Sequence, residues 1–473
     1  MNTTITWFRR DLRLRDHAAL ATALQGQGNV QPIFIFDTEI LARFSNPSDR
    51  RLSFLAATLC DMDATLKQRG GGMLVLHGKP VEIMPKLAAA LKAPCIVSAE
   101  DFEPATIARD AAVKKALGSD VRFVQVLDHL MKSPRATVKE DGTAYKVFTP
   151  YFTKCWRPSI HDADLAEWEV RDAERYADSA ASRKAAREAG LKVVELHHGP
   201  AHVLEQIGYD YREDNLWTVH DAPQRLKDFV KDHLAPYPTA RDFMDRKGTS
   251  RLSPYLRHGL ISIRECMRAS MEHGYGAKWI SELAWREFYA SILFHFPEVV
   301  EKEFQSQYRH LPWKRDEKML AAFTEARTGY PVVDAAVREL LHTGWMHNRA
   351  RMIVASFFTK HLLMDWRLGE EFFAQHLMDY ELASNNGGWQ WSASTGTDAQ
   401  PYFRVFNPLL QSRKFDPSGE YIRHYLPELA QLSDKDIHAP WDSARPPANY
   451  PGPVVDHAAA RARVLEVFKQ ERA

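Results

Sequence analysis

Cysteine is scarce in this 473-residue chain: Cys60, Cys95, Cys155 and Cys266 stand far apart. No CxxC pair occurs, so neither a disulfide framework nor a zinc or iron–sulfur site is supported, and no metal is expected. An excess of one charge is lacking too. Lys and Arg number 62 against 61 Asp and Glu, a formal net charge of +1. Any nucleic-acid contact must therefore come from a local basic face. No apolar run approaches the roughly 18 residues of a membrane span. The N-terminal MNTTITWFRRDLRLRD puts Arg after an apolar strand, the reverse of a secretory signal. A cytoplasmic protein without a membrane partner is expected. The dinucleotide fingerprint GxGxxG is missing as well, since the first strand runs into FRRDLRLRDHAAL. The N-terminal region is therefore not read as an NAD site.

What is present is tryptophan, 12 residues of it, in a chain 45% hydrophobic and 26% charged. Those proportions are globular, and the length exceeds one ordinary core, so two domains are expected. Residues 1–130 alternate the apolar runs TITWFRR, QPIFIFD, GMLVLHG, CIVSAED and VRFVQVLD with helix-like stretches such as DRRLSFLAATLCDMDATLKQR. Continuous apolar strands separated by helices predict a five-stranded parallel, Rossmann-like α/β sheet covered on both faces. Residues 131–202 have mixed periodicity and read as an interdomain linker. From 203 to 473 the apolar spacing is helical nearly throughout, as in WISELAWREFYASILFHF, so a larger all-α domain is expected.

Several stretches combine residue types that a packed core does not ask for. In WISELAWREFY, Glu282, Trp285 and Arg286 fall at i, i+3 and i+4 on one helical face. A surface Glu–Arg pair beside a core Trp explains that spacing equally well. In TGWMHNRARMIVASFF, Trp345, Asn348, Arg351 and Met352 share a face, which is either a polar edge in water or a buried set needing partners. GTSRLSPYLRHG sets the hydroxyls of Thr249, Ser250 and Ser253 and the charge of Arg251 before a helix start at Pro254. Such a start suits a phosphate, and ordinary N-capping by Ser253 accounts for it as well. NNGGWQWSASTGTDAQPYFRVFNP, Asn385 to Pro408, mixes glycines and amides with aromatics, unlike a flexible loop or a core helix. Trp313, Trp366 and Trp389 lie on separate segments, and spacing gives them no joint role.

Together, TWFRRDLRLRDHAAL, YKVFTPYF, GTSRLSPYL, TGYPVVDAAVRELLHTGWMHNRARMI and NNGGWQWSASTGTDAQPYFRVFNP resemble the photolyase/cryptochrome family. The likeness is to its class I-type cyclobutane pyrimidine dimer DNA photolyases, and it spans nearly the whole chain. It implies an N-terminal antenna domain and an all-α domain that holds FAD, active as FADH⁻, and binds DNA. Tyr237, Thr249, Ser250, Arg251, Leu252 and Ser253 would then contact the FAD phosphates and adenosine side. Trp279, Glu282, Arg286, Trp345 and Asn348 would line the cavity. Arg351 and Asp379 would pair across the isoalloxazine, with Glu381 nearby, and Asn385 would face flavin N5, where an amide donates or accepts. The resemblance also makes Glu282, Asn348 and Asn385 catalytic. It makes Trp285 the platform for a flipped dimer, lines the dimer pocket with Asn348, Arg349, Met352 and Trp391, and sends Arg404, Arg413 and Lys414 to the phosphates of UV-damaged DNA. Trp389, Trp366 and Trp313 match an electron path leading outward from the flavin.

The implied reaction is light-driven splitting of pyrimidine dimers by electron transfer, in a monomeric, nucleoid-associated enzyme. Two departures stand out. Glu381 occupies a position where the family usually has Asp. Ala105-Thr106-Ile107-Ala108 precede Arg109-Asp110 where folate-binding enterobacterial members carry Asn-Glu. A second antenna chromophore of folate, deazaflavin or flavin type, or none, is left open. A cryptochrome photoreceptor without repair and a (6-4) photolyase compete with this reading. Asn385 stands where plant cryptochromes carry Asp, Trp285 and Met352 are retained, and about 65 residues follow Pro408. Asn348 occupies the place of the (6-4) group's catalytic His. A flavin oxidoreductase would not need Arg404, Arg413 and Lys414.

Overall fold

Each of the five apolar runs forms a strand: β1 (Thr3–Phe8), β2 (Asn29–Asp37), β3 (Leu74–Gly78), β4 (Cys95–Ala99) and β5 (Arg122–Val126). They pair in parallel and are joined by helices, the connection that parallel neighbours require. A sixth strand, β6 (Val193–Val194), adds a short antiparallel edge, and the sheet order is β5-β4-β1-β2-β3-β6. β6 comes from two valines within the stretch read as a linker, too short for any periodicity to announce. The computed structural model describes residues 3–170, 175–214 and 216–471.

The chain forms two compact units, one of Met1–Val138, Thr153–Val230 and Arg251–Leu283, the other of Lys139–Phe152, Lys231–Ser250 and Ala284–Ala473. In the first, the register Ile5↔Gln31 and Trp7↔Ile33 sets Ile5, Trp7, Ile33, Leu74 and Leu76 into one core with Met84 and Leu87. Each such fully buried side chain contributes roughly 1.5–3 kcal/mol of transfer free energy. A buried ionic cluster lies beside the sheet. Arg13 meets Asp128 at 2.7 Å, and Arg264 of the helix Ile263–Met271 meets Asp16 at 2.9 Å and Asp128 at 3.0 Å. Burial pushes the Asp128 carboxyl up, but Arg13, His17 and Arg264 outweigh it and hold it well below the usual carboxylate range. Asp110 pairs with Arg9 at 2.6 Å and accepts from Gln125 at 2.8 Å.

The second unit is helical. Its core gathers Phe323, Val333, Leu340, Ile353, Phe358, Trp366 and Trp389. Pro331 opens the helix Pro331–Thr343, where its missing N–H costs nothing, and Gly344 ends it at φ +70°. His347 caps Asn348–Ser356, and Asp365 caps Trp366–His376. Glu381 precedes Leu382–Ala393 without spending its side chain on the cap. No helix of the described residues is long and apolar enough to cross a membrane.

Candidate functional site

Two ion pairs fasten the segment that leads into Leu382–Ala393. Asp379 meets Nη2 of Arg351 at 3.0 and 2.8 Å, tying the segment to Asn348–Ser356. Glu381 meets Arg286 at 3.1 and 3.2 Å, tying it to the helix Ala277–His295. The longer arm of Glu381 therefore still reaches a guanidinium. Arg351 is further oriented by a 2.9 Å bond from Nε to the Met346 carbonyl.

One turn on, Asn385 is buried and donates its amide to Glu370, at 2.7 Å to Oε1 and 3.0 Å to the carbonyl. Sequence reading missed Glu370, because nothing in its own helix marks it. Burial pushes its carboxyl up to about 7, against the bond from Asn385. A carboxyl raised in the fold stabilises fully below its ordinary 4.5 and loses that contribution as pH rises through about 7. The melting temperature of the wild type should thus fall relative to Glu370→Gln across that window; parallel curves would rule the linkage out. The neighbouring glycines differ. A Cβ at Gly387 would sit 2.2 Å from the Tyr289 ring, whereas one at Gly388 would meet nothing within 4 Å. A neutral amide, an open glycine face and two ion pairs within one short segment fit the edge of an isoalloxazine.

Along Ala277–His295, Trp279 packs on Phe229 at 4.7 Å, and Glu282 pairs with Lys278 at 3.0 Å. Trp285 stacks on Phe148, ring centroids 3.9 Å apart and 11° from parallel. Phe148 is itself held by its N–H bond to Asp398, 3.1 Å. Sequence reading passed over Phe148, although it lies in YKVFTPYF. In GTSRLS, Ser253 is the first residue of Ser253–His258 and the cap position is Leu252, with no side-chain cap bond. Simple N-capping by Ser253 is not what the chain adopts. Arg251 takes φ +49°, a strained conformation for a residue with a Cβ. Tyr237 is buried under the Arg241 guanidinium at 5.5 Å, and Thr249 and Ser250 are half-buried.

Asn348 is exposed and reaches Met352 Sδ at 3.9 Å, and Trp345 is buried on the preceding turn. Arg349 pairs with Asp242 at 2.8 Å and lies over Phe415 at 4.3 Å, with Lys414 over the same ring at 5.2 Å. Arg246 adds a further cation, 4.0 Å over Phe243. Arg349 and Lys414 thus share the Phe415 ring, and Arg413 is exposed one residue before Lys414 on Pro408–Phe415. Arg404 stands apart and exposed, and its carbonyl accepts from the buried Lys360 at 3.0 Å. Trp391 is half-buried on Leu382–Ala393. Trp389 is packed edge-on by Phe358 at 5.6 Å and Phe373 at 5.0 Å, with an indole N–H that finds no acceptor among the described residues. Trp366 is buried, and Trp313 is half-buried at the edge of the same core.

Residues 4–169 match the DNA photolyase family, and residues 279–470 match the FAD binding domain of DNA photolyase. A deoxyribodipyrimidine photo-lyase of Synechococcus is 38% identical over 99% of this chain and 96% of its own length. The Escherichia coli protein of that name is 35% identical over 100% and 99%. A bacterial class III photolyase from Agrobacterium tumefaciens superposes with a TM-score of 0.85 at 33% identity, covering 100% of this chain and 98% of its own. An archaeal photolyase from Sulfolobus tokodaii, solved with two FAD molecules, gives 0.84 at 28% identity, covering 99% and 100%.

Proposed function

This chain belongs to the DNA photolyase family, and we propose the residue roles by which it splits pyrimidine dimers in UV-damaged DNA with light, using FAD. Bound FAD in its reduced form supplies light absorption and the electron that opens the cyclobutane ring. The protein supplies position, exclusion of water and control of charge. The Arg351–Asp379 and Arg286–Glu381 pairs fix the segment beneath the isoalloxazine. Asn385 presents an amide that is neutral at every pH, so the flavin edge keeps a hydrogen-bond partner without an imposed charge. Thr249, Ser250, Arg251, Leu252 and Ser253 take the phosphates, with Tyr237 on the adenosine side, while Trp279, Glu282 and Trp345 line the pocket.

The observation that best supports repair over signalling is Trp285. Phe148 holds its ring flat, one turn from Glu282, so a flipped dimer gains a stacking platform beside a hydrogen-bonding carboxyl. Asn348, Met352 and Trp391 bound the same pocket, and Arg349, Arg404, Arg413 and Lys414 take the DNA backbone. Trp389, Trp366 and Trp313 return oxidised FAD to its active form. The enzyme works as a cytoplasmic monomer that reaches the nucleoid through DNA.

The deciding experiment reduces the purified protein, binds it to an oligonucleotide carrying a single thymine dimer, and illuminates it. Loss of the dimer is expected, with a (6-4) lesion left intact. A surviving dimer, or repair of the (6-4) lesion instead, would overturn this reading.

A further inference from the structure

Glu303 is 2% exposed, and one of its oxygens serves two tryptophans. Oε1 accepts the indole N–H of Trp313 at 3.0 Å and that of Trp366 at 3.1 Å. Oε2 lies 3.0 Å from Nη2 of Arg367, whose guanidinium sits 4.6 Å over the Trp366 ring. Arg367 stays charged: burial pulls it down, but its bonds to Glu303 and Asp365 and the charges of those carboxylates more than compensate. Trp389, by contrast, is packed by apolar rings and has no acceptor for its N–H among the described residues.

We propose that Glu303 and Arg367 act as a positioning pair that gives electron transfer through the outer indoles its direction. The inference rests on the reading of Trp389, Trp366 and Trp313 as an electron path. An indole that has lost an electron is a cation. A carboxylate at hydrogen-bond distance lowers the energy of that cation. A guanidinium over the ring is attracted to the neutral π face and repelled by the oxidised one. The three sites therefore descend in order. Among the described residues, Trp389 meets only apolar rings, Trp366 a carboxylate opposed by a guanidinium, and Trp313 that carboxylate without an opposing guanidinium. When photoexcited oxidised flavin takes one electron from Trp389, one electron moves from Trp366 to Trp389 and one from Trp313 to Trp366. The positive charge then rests on Trp313, where an added thiol gives one electron and releases its proton to solvent. One shared oxygen keeps the outer two steps from competing, because both indoles gain from the same carboxylate and only Trp366 bears the opposing charge.

Glu303→Gln keeps the size of the side chain and an acceptor oxygen but removes the charge. In the FAD-loaded protein with excess thiol, photoreduction should slow about tenfold, the weight of a charge-assisted bond over a neutral one. In ¹⁵N-indole spectra the N–H signals of Trp313 and Trp366 should both move while that of Trp389 stays. Arg367→Met should shorten the lifetime of the flash-induced tryptophan radical, because the charge then rests on the inner of the two indoles. Trp313→Phe separates the two layers of the proposal. If it does not slow photoreduction, the electron path itself is wrong. If it does, yet Glu303→Gln photoreduces at the wild-type rate or leaves both indole signals in place, the pair has no such role. A Glu303→Gln slowing that merely tracks lost FAD occupancy overturns it equally.

Discussion

Asp379→Asn is expected to bind FAD roughly 30-fold more weakly and to purify with less of it than the wild type. The Asp379 side chain is 4% exposed and gives both oxygens to one nitrogen of Arg351. The substitution keeps volume but leaves the guanidinium beside a neutral amide. Removing one partner of a buried ion pair costs about 3–5 kcal/mol. Arg351 is 28% exposed and retains its bond to the Met346 carbonyl, so solvent and that bond offset part of the loss. A local cost of about 2 kcal/mol follows. Because the pair fastens the segment that presents Glu381 and Asn385, the same amount should appear in cofactor affinity, weakening it roughly 30-fold. Flavin absorbance relative to protein absorbance reads occupancy directly, and titration of the stripped protein with FAD reads affinity. Arg351→Lys, which keeps the charge but only one donor direction, should fall between the two. Wild-type FAD content and affinity in Asp379→Asn would remove this pair from the cofactor's site.

The parts of this site differ in how far sequence reaches them, and the reason is range. β1 to β5 are legible because each is a continuous apolar run whose neighbours are set by connection rules. β6 is two residues long and carries no period. The pairing of Arg351 with Asp379 across the isoalloxazine came from a motif match; the two side chains meet at 2.8 Å. Phe148 under Trp285 was out of reach, since it brings a polar connecting stretch onto a helix far along the chain. Glu370 was invisible because its significance is its burial, and Glu303 because its two indole partners come from different segments. Gly387 and Gly388 look identical as letters. Only their neighbours tell the packed one from the open one. Ser253 is a lesson in the other direction: a hydroxyl before a helical Pro reads as a cap, yet the backbone places Leu252 there.

Trp285→Ala is expected to remove most of the preference for damaged over intact DNA. Its ring is already stacked, 3.9 Å from Phe148, so the face that remains is rigid before any lesion arrives. A pre-ordered platform loses little entropy on binding, which lets the stacking energy count nearly in full. Base–aromatic stacking is worth about 1–3 kcal/mol, so affinity for a dimer-bearing oligonucleotide should fall roughly 5- to 150-fold in the dark. Affinity for undamaged DNA, which the proposed backbone contacts of Arg349, Arg404, Arg413 and Lys414 would carry, should hardly change, because backbone charge does not read the lesion. Phe148→Ala should lose affinity in the same direction by a smaller factor, since Trp285 then has to be ordered by the substrate. Glu282→Ala should differ in kind. The Lys278–Glu282 pair is an i,i+4 contact with a half-exposed lysine and contributes little to the fold. Its removal should leave dark binding near normal and lower the number of dimers split per photon absorbed. Fluorescence anisotropy in the dark and repair yield under calibrated light separate the two effects. Equal loss of affinity for damaged and undamaged DNA in Trp285→Ala would mean that the ring supports the fold rather than the lesion.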